Sequence, residues 1–350
     1  MLQPFRALGL AVGRPNIPLT EALELAETAE RAGFAIIGAG EGFFENFALM
    51  GALTQRTRTA ELVTSITTWT RTPLTTALAV ATLAELSGGR YRLGLGAMPR
   101  EWSERWHNVD ASRPVERMRD FIATMRAVQN AKPGRSVDHE GPFYRVRGYE
   151  PISRRTPPRV PLYLGATRPR MAELAGEVAD GVVFNAIHSV PWLRDVVWPA
   201  VTVGLERAGR RRRDFDAGIL LYCAIADDEA RAFDLARPGL AFYFAVPYFA
   251  DVLRHHGWDQ ELERGREALA RRDLAGAARA VSDDMVEAMT IAGTPRQVRE
   301  KLRRYETQVQ WVELVTPLEN PPEVTRELTA RILSTFGAAS GEHAVRSSTA

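Results

Sequence analysis

Cysteine is almost missing from this chain. Cys223 is the only one, and it lies in an apolar run. A single thiol excludes disulfides within the chain and thiolate metal clusters, and its setting marks a buried, inert side chain rather than a nucleophile. Lysine is nearly as scarce: Lys132 sits in a Pro/Gly loop and Lys301 on a charged helix. Neither placement offers the dry pocket that a Schiff-base lysine needs. The remaining basic residues are arginine, and 45 Lys+Arg against 43 Asp+Glu leave no excess positive charge for nucleic acid. His107, His139, His188, His255, His256 and His343 form neither an H-x-H pair nor an H-E-x-x-H helix, so no metal is expected. Long hydrophobic runs are lacking too. The longest aromatic-apolar stretch, Leu240–Phe249, is broken by Pro247 and is too short to cross a bilayer. The first residues lack a basic region followed by an apolar core, so no signal peptide is expected and the cytoplasm is the default location.

What is present is an alternation of strand and helix signals. Strands are expected at Phe5–Val12, Phe34–Ala39, Glu61–Thr67, Tyr91–Leu95, Leu162–Gly165, Gly181–Asn185, Ala217–Ala226 and Gln310–Val315. Thr20 is placed to cap a helix over Glu21–Ala32, and Gly33 to end it. Further helices are expected near Ala48–Gln55, and over Pro73–Leu86, Met171–Val178, Pro191–Ala208 and Glu323–Thr335. Val137–Glu140 and Phe143–Val146 flank Gly141-Pro142 as a small hairpin. Thr294–Gln297 reads as a capping box with proline at the first helical position. Residues 228–290 form a helical insertion between the seventh and eighth strands. Its aromatics, Phe242, Tyr243, Phe244, Tyr248 and Phe249, suit a cavity wall, a subdomain core or a dimer surface. This pattern predicts a (β/α)8 barrel over residues 1–336, followed by a disordered tail at 337–350. A doubly wound sheet is the rival, because Gly38-Ala39-Gly40-Glu41-Gly42-Phe43 mimics a dinucleotide fingerprint. Phenylalanine fills its sixth position, however, and it follows the second strand rather than the first.

The densest motif runs from Leu86 to Ile122. It reads as a Ser87-Gly88-Gly89 turn, a strand ending in Gly94-Leu95-Gly96, a loop, and a helix with Pro114 in its first turn. Val115, Met118, Ile122 and Met125 share the apolar face of that helix. The glycines at the strand end would let a flat ligand lie against backbone. This block resembles the bacterial luciferase-like oxidoreductases, most closely their coenzyme F420-dependent branch. The WHNVD loop and the GPFY hairpin carry the resemblance to that branch, and other segments follow the same order up to residue 336.

The resemblance implies a site at the C-terminal ends of the strands. Glu41 would contact the cofactor, although Gly42 stands where many members have a histidine. Ser65, Ile66 and Thr67 match a bulge with a non-prolyl cis peptide that supports one face of the ring. Gly96 and Ala97 would admit the ring. Gly165, Ala166, Thr167 and Arg168 open a helix whose N-terminus would take the cofactor phosphate, with Arg170 adding charge. Phe43, Trp69, Trp102 and Trp106 are candidates for the substrate pocket. His107 and Glu101 are candidates for the proton donor.

The activity implied is hydride transfer between F420, a deazaflavin, and a small organic substrate. An FMN-dependent monooxygenase is the nearest alternative, and a cofactor-binding barrel without turnover the next. A homodimer is the assembly that the resemblance implies, with neither nucleic acid nor membrane as partner.

Overall fold

The computed structural model describes residues 5–42, 44–151 and 158–337. Phe43 and residues 338–350 of the expected tail lie outside the described residues. In chain order the strands are β1 (Ala7–Ala11), β2 (Ile36–Ala39), β3 (Glu61–Thr64), β4 (Thr67–Thr68), β5 (Tyr91–Gly96), β6 (Val137–Glu140), β7 (Arg145–Tyr149), β8 (Leu162–Gly165), β9 (Gly181–Phe184), β10 (Asp216–Ile225), β11 (Ile291–Gly293) and β12 (Trp311–Val315). The residues fall into two compact units. One takes in the described parts of Met1–Ile37, Ala186–Val190 and Ile219–Ala350, and the other those of Gly38–Asn185 and Pro191–Gly218.

In the first unit the strand order is β11-β10-β12-β1. β1 and β12 are parallel, with Ala7 opposite Trp311 and Leu10 opposite Leu314. All five residues of β12 are buried, as expected of a parallel strand covered on both faces. The first helix starts at Leu19, with Pro18 rather than Thr20 at its cap position and no side-chain cap. Proline already holds the extended backbone that a cap position needs. Helices Glu229–Ala241, Ala250–His255, Asp259–Ala270, Leu274–Ala280 and Asp283–Met289 fill the region expected to be helical. Tyr243, Phe244 and Phe249 are buried there, and Tyr243 meets Phe249 edge to face at 4.6 Å between ring centres. These three aromatics are core. β11 follows, a three-residue strand that escaped the sequence because the Thr294 capping box begins immediately after it.

In the second unit the order is β2-β3-β5-β8-β9, with β4 beside β5. β5 pairs in parallel with both β4 and β8: Thr68 lies opposite Gly96, and Leu95 opposite Leu164. The helix Pro114–Gln129 buries Met118, Ile122 and Met125 as its periodicity predicts, while Val115 of the same expected face, in the first turn, is only partly covered. It also buries Asp120, whose Oδ1 bonds to His139 Nε2 at 2.8 Å and whose Oδ2 accepts from the N–H groups of Phe143 and Tyr144 at 2.7 and 2.9 Å. Asp120 thus pins the tip of the β6–β7 hairpin. Gly141 is glycine for steric reasons, since a Cβ there would stand 1.8 Å from Asp120 Oδ1.

Candidate active site

The third-strand segment does not run straight from Glu61 to Thr67. It breaks into β3 and β4, with a bulge at Ser65–Ile66, and the peptide bond between those residues is cis. The bulge is anchored from β2: Ser65 N–H donates to Ala39 O, and Glu41 N–H to Ile66 O, both at 2.9 Å. Gly40 lies beneath it, where a Cβ would sit 3.0 Å from Ser65 O. Thr64 locks the preceding residue to β5. Its hydroxyl donates to Gly94 O at 3.0 Å and accepts from Gly94 N–H at 2.9 Å.

The glycines of β5 and β8 answer to this bulge. A Cβ on Gly94 would stand 1.8 Å from Thr64 O, one on Gly96 2.0 Å from Ile66 Cδ1, and one on Gly165 2.9 Å from the same methyl. The sequence suggested that Gly94 and Gly96 leave bare backbone for a flat ligand. The space beside them is instead filled by the Thr64 carbonyl and the Ile66 tip. Ile66 itself is only partly covered, and Ala97 next to it is also partly exposed. The result is an aliphatic shelf at the end of β5.

Glu41 lies beside the shelf, with its side chain 10% exposed. Its Oε2 accepts from Thr68 N–H at 2.6 Å, Thr67 Oγ1 at 2.9 Å and Thr68 Oγ1 at 3.0 Å. Its Oε1 accepts from Arg71 Nη2 at 2.5 Å. Burial pushes this carboxyl up, but the bond to Arg71, its charge and the donors of Thr68 and Thr67 outweigh that and hold it below the usual carboxylate range. Glu41 is therefore an ionised anchor with its acceptor positions engaged. Sequence inspection missed Arg71. Its only local signal was an arginine just before the Thr72-Pro73 helix start.

β8 leads into the helix Pro169–Val178 through Ala166, Thr167 and Arg168. Ala166 is buried, Thr167 partly covered, and Arg168 and Arg170 exposed. No side chain caps this helix, and proline occupies its first turn. Pro169 has no N–H, and the Met171 N–H already bonds Arg168 O at 3.1 Å. An anion here would meet the arginine side chains and the Arg170 N–H more than a full ring of free amides.

The remaining candidates sit on or beside the short helix Arg100–Trp106. Glu101 is exposed and paired with Arg105 at 2.8 Å. His107 follows the last turn and is exposed as well. Trp102 and Trp106 stack at 4.7 Å, with Trp106 61% exposed. Trp69 is fully buried, and its indole N–H donates to Ser103 Oγ at 3.4 Å. Trp69 thus supports this helix through Ser103, while Trp102 is partly covered and Trp106 is exposed. The glycines, the bulge and Glu41 are brought together; His107 and Glu101 remain in water. Among the described residues no group of three or more His, Cys, Asp or Glu side chains is arranged to hold a metal. Cys223 is buried, and burial pushes its thiol up.

Comparison with known proteins identifies the family and the fold. The family described as luciferase-like monooxygenase matches residues 4–309. The 5,10-methylenetetrahydromethanopterin reductase of Archaeoglobus fulgidus is 31% identical over 262 residues, covering 73% of this chain and 76% of that protein. The solved coenzyme F420-dependent tetrahydromethanopterin reductase of Methanopyrus kandleri superposes with a TM-score of 0.77 at 24% identity, covering 95% of this chain and all of that one (100%). The oxygenating constituent of 3,6-diketocamphane monooxygenase of Pseudomonas putida, solved with FMN, gives a TM-score of 0.68 at 18% identity, covering 98% and 99% of the two chains. These likenesses establish the (β/α)8 barrel as the fold class and remove the doubly wound sheet. The chain belongs to the luciferase-like monooxygenase family and is an oxidoreductase of that class.

Proposed function

We propose that the protein transfers hydride between coenzyme F420 and a small organic substrate. The observation that carries this reading is the Ile66 shelf: an aliphatic side chain seated against Gly96 and Gly165, in a residue that is only partly buried. A planar tricyclic ring needs such an apolar support, and the neighbouring Ala97 adds no bulk. The Arg168 and Arg170 pair at an uncapped helix start fits a phosphate-bearing tail. When bound, the deazaflavin supplies hydride chemistry at its C5 carbon.

The chain's own residues would bind, orient and protonate. Ile66 fixes the ring plane. Glu41, held ionised by Arg71, sets the position of Thr67 and Thr68 and does not trade protons near neutral pH. The proton for the substrate is assigned first to an imidazole nitrogen of His107. The Glu101 carboxylate stands second, because Arg105 already engages it. Trp102 and Trp106 offer a stacked aromatic surface to a substrate that is at least partly apolar.

FMN-dependent oxygenation is the second reading, favoured by the family's description as monooxygenase and by the FMN-bound structural relative. Fluorescence titration of the purified protein with F420 and with FMN, followed by anaerobic reduction of a substrate panel with reduced F420, tests the proposal. Binding of F420 with turnover supports it. Binding of FMN alone, with oxygen uptake, replaces it with the second reading. Cofactor binding with no turnover on any substrate reduces the protein to a binding barrel. The same reading takes a homodimer as the working assembly, which light scattering checks. No described helix is long and apolar enough to cross a membrane.

A further inference from the structure

We propose that Arg71 is a positioning residue that keeps Ile66 seated, acting through Glu41. The cofactor-binding half of this inference rests on the reading above; the seating of Ile66 does not.

Glu41 grips the bulge at the Ile66 carbonyl and at the two residues that follow it. Its backbone N–H holds Ile66 O at 2.9 Å. Its carboxylate holds the next two residues through Thr67 Oγ1, Thr68 N–H and Thr68 Oγ1. One residue therefore holds three in succession, and its side chain holds Thr67 and Thr68 only while ionised and correctly rotated. Arg71 supplies both conditions. Its Nη2 bonds Glu41 Oε1 at 2.5 Å and also engages Glu45, while its Nη1 donates to Thr67 Oγ1 at 3.3 Å. Its guanidinium carbon lies 4.9 Å from the centre of the Phe47 ring. The Arg71 side chain is 19% exposed and that of Glu41 10%, so water screens their contact only weakly.

The charge count explains why a cation is required at this place. Glu41 and Glu45 both face Arg71, and Glu45 also accepts from Ala48 N–H at 2.6 Å, where it caps the helix Asn46–Arg56. Two carboxylates share one guanidinium. Removing the cation leaves two like charges on one short loop, and Glu41 then turns toward water and releases Thr67 and Thr68. The Ile66 tip would follow, because its seat against Gly96 and Gly165 depends on the register of the bulge. Lysine is a poor substitute, since a single ammonium point charge cannot reproduce the planar fork that spans Glu41, Glu45 and Thr67.

The test is a cycle of wild type, Arg71→Met, Glu41→Gln and the double variant, with Arg71→Lys as the milder change should the methionine variant not fold. Amide hydrogen exchange over residues 65–70 reads the bulge without any cofactor. Fluorescence titration with F420 and FMN reads the ring site. Loss of one charge-assisted bond corresponds to roughly ten-fold. Exchange over 65–70 should therefore speed up about ten-fold in each single variant, with a similar loss of cofactor affinity, and the double variant should be no worse than either single. Arg71→Lys should fall between wild type and Arg71→Met. Unchanged exchange in the Arg71 variants overturns the inference, as do effects that multiply in the double variant. Faster exchange with unchanged cofactor affinity overturns the role toward the cofactor. Faster exchange in a protein whose wild type binds neither F420 nor FMN sinks the functional reading and leaves the Arg71–Glu41–Ile66 linkage standing.

Discussion

Adding one methyl at Gly96 provides a direct test of the shelf. A Cβ there would meet Ile66 Cδ1 at 2.0 Å, whereas the next neighbours, Ile66 Cγ1 and Gly165 O, stand at 3.4 and 3.8 Å. The clash therefore involves a single terminal methyl, which can swing away. Overpacking of this kind costs about 1–3 kcal/mol, so Gly96→Ala should fold with a lowered urea midpoint. The displaced methyl would lift the shelf, and affinity for F420 or FMN should fall further than stability does. Ile66→Val removes Cδ1 and with it the 2.0 Å contact, leaving 3.4 Å, an ordinary van der Waals distance. Ile→Val alone costs roughly 0.5–1.5 kcal/mol. The Gly96→Ala/Ile66→Val double variant should thus unfold within about 1 kcal/mol of Ile66→Val, well short of additive. Gly94→Ala is the control, because its Cβ would strike the Thr64 carbonyl at 1.8 Å, and backbone cannot swing. It should lose more than about 3 kcal/mol, with no recovery from Ile66→Val. Equal stability of Gly96→Ala and wild type, or strict additivity in the double variant, would refute the assignment of Gly96 as the seat of Ile66.

Other outcomes follow from the same geometry. Gly141→Ala places a Cβ 1.8 Å from Asp120 Oδ1 and should cost about 2–4 kcal/mol by breaking the bonds to His139, Phe143 and Tyr144, with proteolysis of the 137–149 hairpin as the readout. The Glu41 carboxyl has a folded pKa below its unfolded value near ~4.3. Its stabilisation is complete above that value and lost as pH falls through the folded pKa, so Glu41→Gln should flatten the acid limb of the stability curve below about pH 4. His188 is fully buried, and burial pushes it down to about 3. Between that value and ~6.5 only the unfolded chain takes the proton, so stability should drop by about 1.4 kcal/mol per pH step on acidification, and His188→Gln should remove that slope.

Much of the barrel was legible because parallel strands covered on both faces are written as short apolar runs, and their helices as period-3.6 stripes. Leu162–Gly165 and the helix from Pro114 stand where the pattern put them. Features set by contacts distant in sequence were not legible. The helix expected over Pro191–Ala208 carries a π-helical stretch at Leu193–Val197, just before Pro199, which has no N–H for the regular ladder. β11 and β4 have three and two residues, too few for any periodicity. In the site, Glu41 stood out through the family resemblance, but its partner Arg71 lies 30 positions away, and only the fold joins them. The strand-end glycines stood out too, yet what fills the room beside them depends on the path of the neighbouring strand.

On the proposed reading, the Ile66 tip would make the seat of the ring adjustable from two directions. Shortening residue 66 would deepen the recess by one carbon and admit a thicker or methyl-bearing ring. Enlarging residue 165, where the contact is a milder 2.9 Å, would make it shallower. On that reading residues 66 and 165 would act as a pair of opposed set-screws for choosing among chromophores of different thickness, with no polar group altered by either turn.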